Sequence, residues 1–221
     1  MDADDWSVIM GDGADGSDHS QRQPVRTRPA DQPICGPDGI AERKMMPQDA
    51  FVALGSNLDD PPRQIAEAVS AIGRLPGTRV IDHAPPRWYA PVGGPPGQGD
   101  FLNTAAHLKT DLEPAELLDQ LLTIELHQGR VRSETERNGP RTLDIDLLFY
   151  GSCIIQTSHL CVPHPRLAER LFVLEPLSEI APEFIHPAAG LSVAALLTRL
   201  RNGDPWKYTQ EEPVRCGYFT R

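Results

Sequence analysis

The sequence predicts an α+β protein with a ferredoxin-like βαββαβ core, to which a C-terminal hairpin and further helices are added. Short apolar runs bounded by Gly, Pro and Asp are typical of strands, and segments whose apolar residues recur every three to four positions are typical of helices. Along the chain these patterns follow in the order strand, helix, strand, strand, helix, strand, which is the split βαβ arrangement. The predicted domain covers residues 48–201 of the 221-residue chain.

The first strand is predicted over residues 50–54 and is followed by a turn at 55–57. Either Asp59 or Asp60 caps the helix that follows, because two prolines stand in its first turn. This helix extends to about residue 74.

The second and third strands are predicted over residues 78–82 and 101–108, on either side of a Gly- and Pro-rich loop at 85–98. Asp111 is predicted to cap the second helix. Gly129 is predicted to end it, since glycine readily adopts the left-handed conformation of a helix C-terminus.

An arginine-rich loop is predicted at residues 130–140, and the last strand of the core at 141–150. A hairpin at 153–162 and further helices up to residue 200 complete the predicted domain.

Two tails flank the predicted domain. Residues 1–47 are rich in Asp, Gly, Pro and Gln without apolar periodicity, so they are predicted to be a disordered N-terminal tail. Residues 202–221 have weak patterning and are predicted to be a C-terminal tail.

Composition excludes several classes of function. The net charge of −10 argues against nucleic-acid binding as the main function. No run approaches the roughly 18 apolar residues of a membrane span. The N-terminus lacks the basic and apolar regions of a secretory signal, and the four cysteines form no C-x-x-C pair. We therefore predict a cytoplasmic protein with cysteine thiols that binds neither nucleic acid nor membrane. We also expect it to be a monomer.

Asp144 and Asp146 are separated by one apolar residue in the segment GPRTLDIDLLFYG. In a β-strand, residues two apart point to the same face, so both carboxylates project together while Leu143, Ile145 and Leu147 form the buried side. Adjacent carboxylates repel each other unless a cation lies between them, and Mg²⁺ is bound through one or two carboxylates plus substrate phosphates. A lone D-x-D is also compatible with a half-exposed strand that has no such function.

Four arginines lie just before or beside the aspartates, at positions 130, 132, 137 and 141. A guanidinium presents a planar fork that matches phosphate oxygens and keeps its charge near neutral pH. An acidic protein with this cluster is predicted to bind a polyanion together with its metal. The chain has no G-x-x-x-x-G-K-[ST] motif, so a P-loop enzyme is excluded.

Five segments carry a resemblance to a known family. They are ALGSNL (53–58), YAPVGG with DFLN (89–103), IELHQGRVR (124–132), RNGPRTLDIDLL (137–148) and VPHPRLAERLFVLEPL (162–177). In this order and spacing they resemble the 6-hydroxymethyl-7,8-dihydropterin pyrophosphokinase family of folate biosynthesis. The resemblance covers about residues 50–190.

The resemblance implies a ferredoxin-like α+β fold and transfer of the β,γ-pyrophosphoryl group of ATP to the hydroxymethyl group of the dihydropterin, with release of AMP. ATP is then the co-substrate. Asp144 and Asp146 match the residues that hold two Mg²⁺ ions, and Arg130 and Arg141 match the loop arginines that stabilise the transferring group.

The resemblance also implies substrate-binding residues. Arg132, His164 and Arg170 match ligands of the triphosphate, and Glu125 matches a residue near the nucleotide. The pterin is implied to lie between two aromatic rings and to contact an amide, loop backbone groups and a glycine at the pocket floor. The matching residues are Phe101 and Phe172 for the rings, Asn103 for the amide, Ala90 and Val92 for the loop, and Gly55 for the floor.

Three positions depart from the family pattern. Arg87-Trp88-Tyr89 stands where members often carry Tyr-x-Thr, Asn138 replaces a tryptophan, and Ser133 stands where a lysine can help hold phosphate. These differences concern loop contacts and closure more than the identity of the reaction.

Two alternatives remain open from the sequence. One is a metal-dependent phosphotransferase acting on another small hydroxylated heterocycle. The other is a non-catalytic pterin- or nucleotide-binding module tethered to another folate enzyme, for which the paired aspartates and arginines would have no need.

Overall fold

The computed structural model describes residues 46–130 and 138–207. Its elements are β1 (Gln48–Ser56), α1 (Pro61–Ile72), β2 (Thr78–His83), β3 (Arg87–Tyr89), β4 (Phe101–Thr110), α2 (Pro114–His127), β5 (Asp144–Tyr150), β6 (Ile155–Gln156), β7 (Cys161–Val162), a 3₁₀ helix (Leu167–Glu169), α3 (Leu171–Ile180) and α4 (Val193–Arg201). In these two stretches, no helix combines the length and the apolar character needed to cross a membrane.

The elements form a mixed helix and antiparallel-sheet structure. The main sheet has the strand order β2-β4-β1-β5, and the short strand β3 also pairs with β4. All of its pairings are antiparallel. A separate two-stranded hairpin of β6 and β7 follows, within the predicted hairpin segment.

Both faces of the sheet are covered. Val52 and Leu54 of β1 belong to an apolar cluster with α1 and α2, whereas Phe51 and Ala53 belong to a second cluster with α3 and α4. Because side chains alternate between the two faces of a strand, a strand covered on both sides reads as an unbroken apolar run. This explains why the first strand was recognisable in the sequence.

The helix ends test the predicted caps. Asp60 caps α1, and its side chain accepts a hydrogen bond from the backbone of Arg63. The prediction that Asp111 caps α2 is wrong, since Glu113 occupies the N-cap position and Pro114 begins the helix. The backbone N–H of Asp111 donates instead to the carbonyl of Gly77, so this residue belongs to the preceding turn.

Several predicted strand limits need correction. Gly55 belongs to β1, which continues to Ser56 because its backbone pairs with β4. The last strand of the core begins at Asp144 rather than Arg141, because the backbone of Arg141 pairs with Asn57. The predicted 85–98 loop contains β3, which was not predicted.

Two details concern the C-terminal part of the structure. Trp206, assigned from sequence to the tail, packs against the α3–α4 cluster and lies 4.7 Å from the His186 ring between centroids. Cys161 is disulfide-bonded, so the prediction of thiols is wrong for this residue, whereas Cys153 is a free cysteine as predicted.

Candidate active site

Asp144 and Asp146 occupy the first and third positions of β5 and project from the same face. Their neighbours across the sheet are Gly55 and Ala53 of β1. The side chains of Asp144 and Asp146 are 25% and 14% exposed, while Ile145 between them is fully buried. The alternation predicted from the sequence is confirmed.

Three arginines contact the two carboxylates. Arg130 and Arg141 lie 2.5 and 3.0 Å from the two oxygens of Asp144, and Arg170 lies 3.1 Å from Asp146. The arginines come from the end of α2, the segment before β5 and the start of α3. The fold therefore gathers cationic forks from three directions around the paired aspartates.

The end of α2 determines where Arg130 lies. Gly129 has a φ of +78°, and its N–H donates to the carbonyl of Leu126 while the N–H of Arg130 donates to the carbonyl of Glu125. This pair of bonds is the Schellman arrangement, which needs a left-handed residue at the glycine position. It confirms that Gly129 ends the helix and turns the chain so that Arg130 faces Asp144.

Glu125 is buried beneath this arrangement, with 1% exposure. Its Oε1 accepts a hydrogen bond from the backbone N–H of Ile145 at 2.7 Å and pairs with Arg130. One carboxylate thus connects the last turn of α2 to the part of β5 that lies between Asp144 and Asp146.

The two aspartates have opposite pKa shifts. Burial raises the pKa of Asp144, but Arg141 and Arg130 outweigh it, so the pKa lies below its ordinary value. Burial and the neighbouring Asp144 carboxylate raise the pKa of Asp146 to about 6, against the opposing effect of Arg170. The difference arises because two arginines face Asp144 whereas one faces Asp146. This juxtaposition of like charges favours binding of a cation.

His164 adds a neutral polar group to the same region. Burial and the nearby Arg170 lower its pKa well below the ordinary value. Its Nδ1 accepts a hydrogen bond from the backbone N–H of Arg166 at 3.1 Å, so the hydrogen of the neutral ring lies on Nε2. That nitrogen is 3.6 Å from Oδ2 of Asp146.

Two loops beside the aspartates are connected through amide side chains. Asn57 accepts from the backbone of Arg141 at 2.8 Å and donates to the carbonyl of Gly99 at 3.1 Å. Gln98 donates to the carbonyl of Asn138 at 3.2 Å, and Asn138 has a φ of +59°. Asparagine tolerates this conformation better than most side chains.

The predicted pterin residues lie on the same face of the sheet or on elements beside it. Gly55 pairs with Asn103, whose buried side chain lies across β1, because a Cβ atom on Gly55 would be 2.6 Å from its Oδ1. Asn103 also donates to the carbonyl of Phe101 at 3.2 Å. The guanidinium carbon of Arg141 lies 5.2 Å from the centre of the Phe101 ring.

Phe172 lies in the first turn of α3, where the guanidinium carbon of Arg170 is 5.6 Å from the centre of its ring. Ala90 and Val92 lie on the exposed loop after β3. A small cavity also borders Asp146. Its lining includes Leu118, Leu147, Leu160, Cys161, His159 and His164.

Comparison with known protein families decides the assignment. A family model described as 7,8-dihydro-6-hydroxymethylpterin-pyrophosphokinase (HPPK) matches residues 51–182. The chain belongs to the HPPK family.

Individual relatives agree with this assignment. A protein of Pseudomonas aeruginosa named 2-amino-4-hydroxy-6-hydroxymethyldihydropteridine pyrophosphokinase is 46% identical over 142 residues, which are 64% of this chain and 86% of that protein. A protein of the same name from Haemophilus influenzae is 44% identical over 62% of this chain and 84% of its own length. The folic acid synthesis protein FOL1 of Dictyostelium discoideum is 39% identical over 69% of this chain, but the match spans 22% of that longer protein.

Solved structures support the fold alone. A crystal structure described as HPPK-DHPS in complex with substrates matches 71% of this chain with a TM-score of 0.58 at 13% identity. The wild-type HPPK-DHPS of Plasmodium falciparum with STZ-DHP gives 0.56 at 15% identity and also covers 71%. The match spans 44% and 42% of these two solved chains, which are therefore more than twice its length.

The HPPK residues predicted from sequence fall into three groups. The structure brings together six charged residues and His164, namely Glu125, Arg130, Arg141, Asp144, Asp146 and Arg170. Gly55, Asn103 and Phe101 lie next to one another, and Phe172 stands beside Arg170. Ala90 and Val92 are on the exposed loop, and Arg132 lies outside the described residues.

Sequence reasoning did not assign a role to Asn57, Gln98 or Tyr89. Asn57 stands inside the ALGSNL motif and Gln98 inside the predicted loop, but the bonds to Asn138 and Arg141 join residues 40 and 84 positions apart in the chain. A turn asparagine and a loop glutamine carry no local signal for such contacts.

Proposed function

We propose that this HPPK-family chain transfers the β,γ-pyrophosphoryl group of ATP to the hydroxymethyl group of 6-hydroxymethyl-7,8-dihydropterin, giving AMP and the pterin diphosphate. The observation that carries the proposal is the placement of Asp144 and Asp146 on one strand face within ion-pair distance of Arg130, Arg141 and Arg170. Paired carboxylates next to three guanidinium groups suit a metal-bound polyphosphate.

The residues present fit Mg²⁺. The two strand carboxylates offer oxygen ligands. In the part of the chain that the structure describes, no cluster of three or more His, Cys, Asp or Glu could hold a metal ion by protein ligands alone. Mg²⁺ commonly takes one or two carboxylates, with substrate phosphates and waters completing its coordination. Asp144 and Asp146 would hold the metal, for which we propose two ions. When bound, Mg²⁺ supplies neutralisation of phosphate charge and a lower pKa for the substrate hydroxyl.

The chain's own contribution is positioning and charge. Arg130 and Arg141 stabilise the negative charge on the transferring group, because guanidinium donors held in place act most strongly where water is excluded. Arg170 and His164 lie beside Asp146, which supports the proposal that they contact the triphosphate. Phosphoryl-type transfer needs little covalent chemistry from the protein, so no side chain need act as a general base.

We propose that the pterin binds near the start of β4, on the sheet face that carries Asp144 and Asp146. Asn103 presents an amide that can match the donors and acceptors of the heterocycle, and Gly55, which has no side chain, leaves room for that amide above β1. Phe101 and Phe172 would cover the two faces of the ring.

The finer description of the fold is also a proposal. A ferredoxin-like assignment is supported by β4 lying between β1 and β2, the two strands that α1 connects. A domain of residues 48–201, a monomeric state and a cytoplasmic location remain predictions from the sequence.

The test is to incubate the protein with ATP, Mg²⁺ and the dihydropterin and to measure AMP and ADP separately. AMP with pterin diphosphate is expected, whereas ADP would indicate transfer of a single phosphoryl group. Asp146→Ala is expected to abolish AMP formation with the melting temperature preserved.

Asp204→Ala is the matched control. Asp204 is an exposed carboxylate that pairs with Arg199, away from the strand aspartates, so this variant should retain full activity. Absence of AMP from the unmodified protein would refute the proposed reaction. Unchanged activity of Asp146→Ala would refute the role of the carboxylate, and a collapsed melting temperature would show that it is structural.

A further inference from the structure

The short strand β3 lies between the two aromatic residues proposed to enclose the pterin. On one side its backbone pairs with the start of β4, so that Tyr89 stands opposite Phe101 and Arg87 opposite Asn103. On its other side, the side chains of β3 reach α3, which carries Phe172 in its first turn. Both walls of the proposed pterin site are thus connected through three residues.

Two side-chain contacts join β3 to α3. The hydroxyl of Tyr89 donates to Oε2 of Glu175 at 3.0 Å, and Arg87 pairs with Glu179 at 2.5 Å. Residues two apart on a strand lie about 6.7 Å apart on one face, and residues four apart on a helix lie about 6 Å apart. The spacings match, so both contacts form at once.

The tyrosine contact is the stronger of the two. Arg87 is 52% exposed, and exposed ion pairs contribute little. Burial and the adjacent Glu175 carboxylate raise the pKa of Tyr89 to about 12, so its hydroxyl keeps its hydrogen at neutral pH. The Tyr89 ring also packs near Phe172, with centroids 6.4 Å apart.

Glu175 is itself held from two sides. Arg201 of α4 donates to its Oε1 at 2.8 Å, which leaves Oε2 for Tyr89. Arg201 and Tyr89, against the effect of partial burial, keep the pKa of Glu175 below its ordinary value. The two donors bind different oxygens of the carboxylate, so removal of Arg201 leaves the acceptor of Tyr89 in place.

We infer that Tyr89 is a positioning residue for the pterin, which acts through its bond to Glu175 and fixes the spacing between Phe101 and Phe172. The inference rests on the proposed function, because it takes the pterin as the ligand between these rings. Tyr89 stands in the segment that departs from the family pattern, so this chain sets the width of its pterin site with residues of its own.

The test compares Tyr89→Phe with Arg201→Ala in the full-length protein. Tyr89→Phe keeps the ring beside Phe172 and removes the donor to Glu175, whereas Arg201→Ala removes the other partner of Glu175 and leaves β3 untouched. The dissociation constant of the dihydropterin is measured by calorimetry at saturating α,β-methylene ATP and Mg²⁺, and that of the ATP analogue is measured separately.

Tyr89→Phe is expected to weaken pterin binding about five- to tenfold, which is within the range for loss of one ordinary hydrogen bond. Its affinity for the ATP analogue and its kcat should stay within about twofold of the unmodified protein, since a bond that only spaces the rings contributes equally to the bound ground state and to the transition state. Arg201→Ala should bind the pterin as the unmodified protein does, even where its melting temperature falls.

A double variant tests whether Tyr89 acts through Glu175. Tyr89→Phe combined with Glu175→Ala should bind the pterin no more weakly than Glu175→Ala alone, because the two residues share one interaction. The inference would be overturned if the fold-losses of pterin affinity in the two single variants multiplied in the double variant. Unchanged pterin affinity in Tyr89→Phe would also overturn it, as would an equal loss of pterin affinity in Arg201→Ala.

The binding measurement separates this inference from the proposed reaction. A protein that binds the pterin but forms no AMP would refute the reaction while the comparison of variants still decides the role of Tyr89. A protein that binds no pterin at all would overturn both.

Discussion

Replacing Glu125 tests whether this residue contacts the nucleotide or holds the site together from below. The sequence predicted a position near the nucleotide, but its carboxylate is buried and bonds to Ile145 and Arg130. Glu125→Ala removes both contacts. The buried N–H of Ile145 then lacks its acceptor, and Arg130 keeps Asp144 as its partner.

The expected loss of stability follows from these contacts. An unsatisfied buried N–H costs about 1–3 kcal/mol. Loss of one partner of a buried ion pair costs about 3–5 kcal/mol when the remaining charge is uncompensated. Because Arg130 retains Asp144, we expect a combined loss of about 3–5 kcal/mol for Glu125→Ala, or roughly 10 °C in melting temperature. Glu125→Gln keeps an oxygen for Ile145 and should lose about half as much.

Urea unfolding and steady-state kinetics provide the assay, with Glu116→Ala as the control. Glu116 is an exposed carboxylate on the same helix, so its removal should change neither stability nor activity appreciably. Glu125→Gln should lower kcat more than it raises the KM for ATP, because Arg130 loses part of its support. Unchanged stability together with a raised KM for ATP would refute this reasoning and indicate direct contact with the nucleotide.

Two further predictions concern the pocket floor and the C-terminal cluster. Gly55→Ala should weaken pterin binding about tenfold, because the added Cβ would lie 2.6 Å from Oδ1 of Asn103 and displace that side chain. Gly73→Ala is the control: its Cβ would have its nearest contact at 3.6 Å, so this variant should bind the pterin normally in the same titration. Burial lowers the pKa of His186 to about 4, so the unfolded chain takes up its proton first and stability should fall as the pH drops from about 6.5 to 4. His186→Asn should remove about 1–2 kcal/mol of that loss at pH 5 in urea titrations, and an identical pH profile would contradict the assignment.

The metal strand could be predicted because its signal is local. Asp144 and Asp146 are two residues apart with apolar neighbours, and this pattern needs only the alternation of a strand to be read. The same holds for Gly129, whose left-handed φ closes a helix within five residues. Such features depend on few residues that are close in sequence.

The errors arose where distant segments decide the local structure. Arg141 was predicted to begin a strand, but its backbone pairs with Asn57, which is 84 residues away. Asp111 has the chemistry of a helix cap, yet its N–H is taken by Gly77 and the helix begins later, at a proline. Strand β3 is three residues long and too short to show any periodicity.

The phosphate and pterin halves of the proposed site also differ in how far apart in the sequence their contacting residues lie. The aspartate–arginine contacts join residues 3 to 24 positions apart, whereas the bond from Tyr89 to Glu175 joins residues 86 apart. Longer separations lose more chain entropy on closure, so contacts of the second kind need the completed sheet and α3 to hold them. The charged half is therefore largely specified by one stretch of sequence with its flanking helices. The aromatic half is specified by packing between elements, where substitutions such as those in β3 can adjust the width of the pterin site without altering the charged cluster.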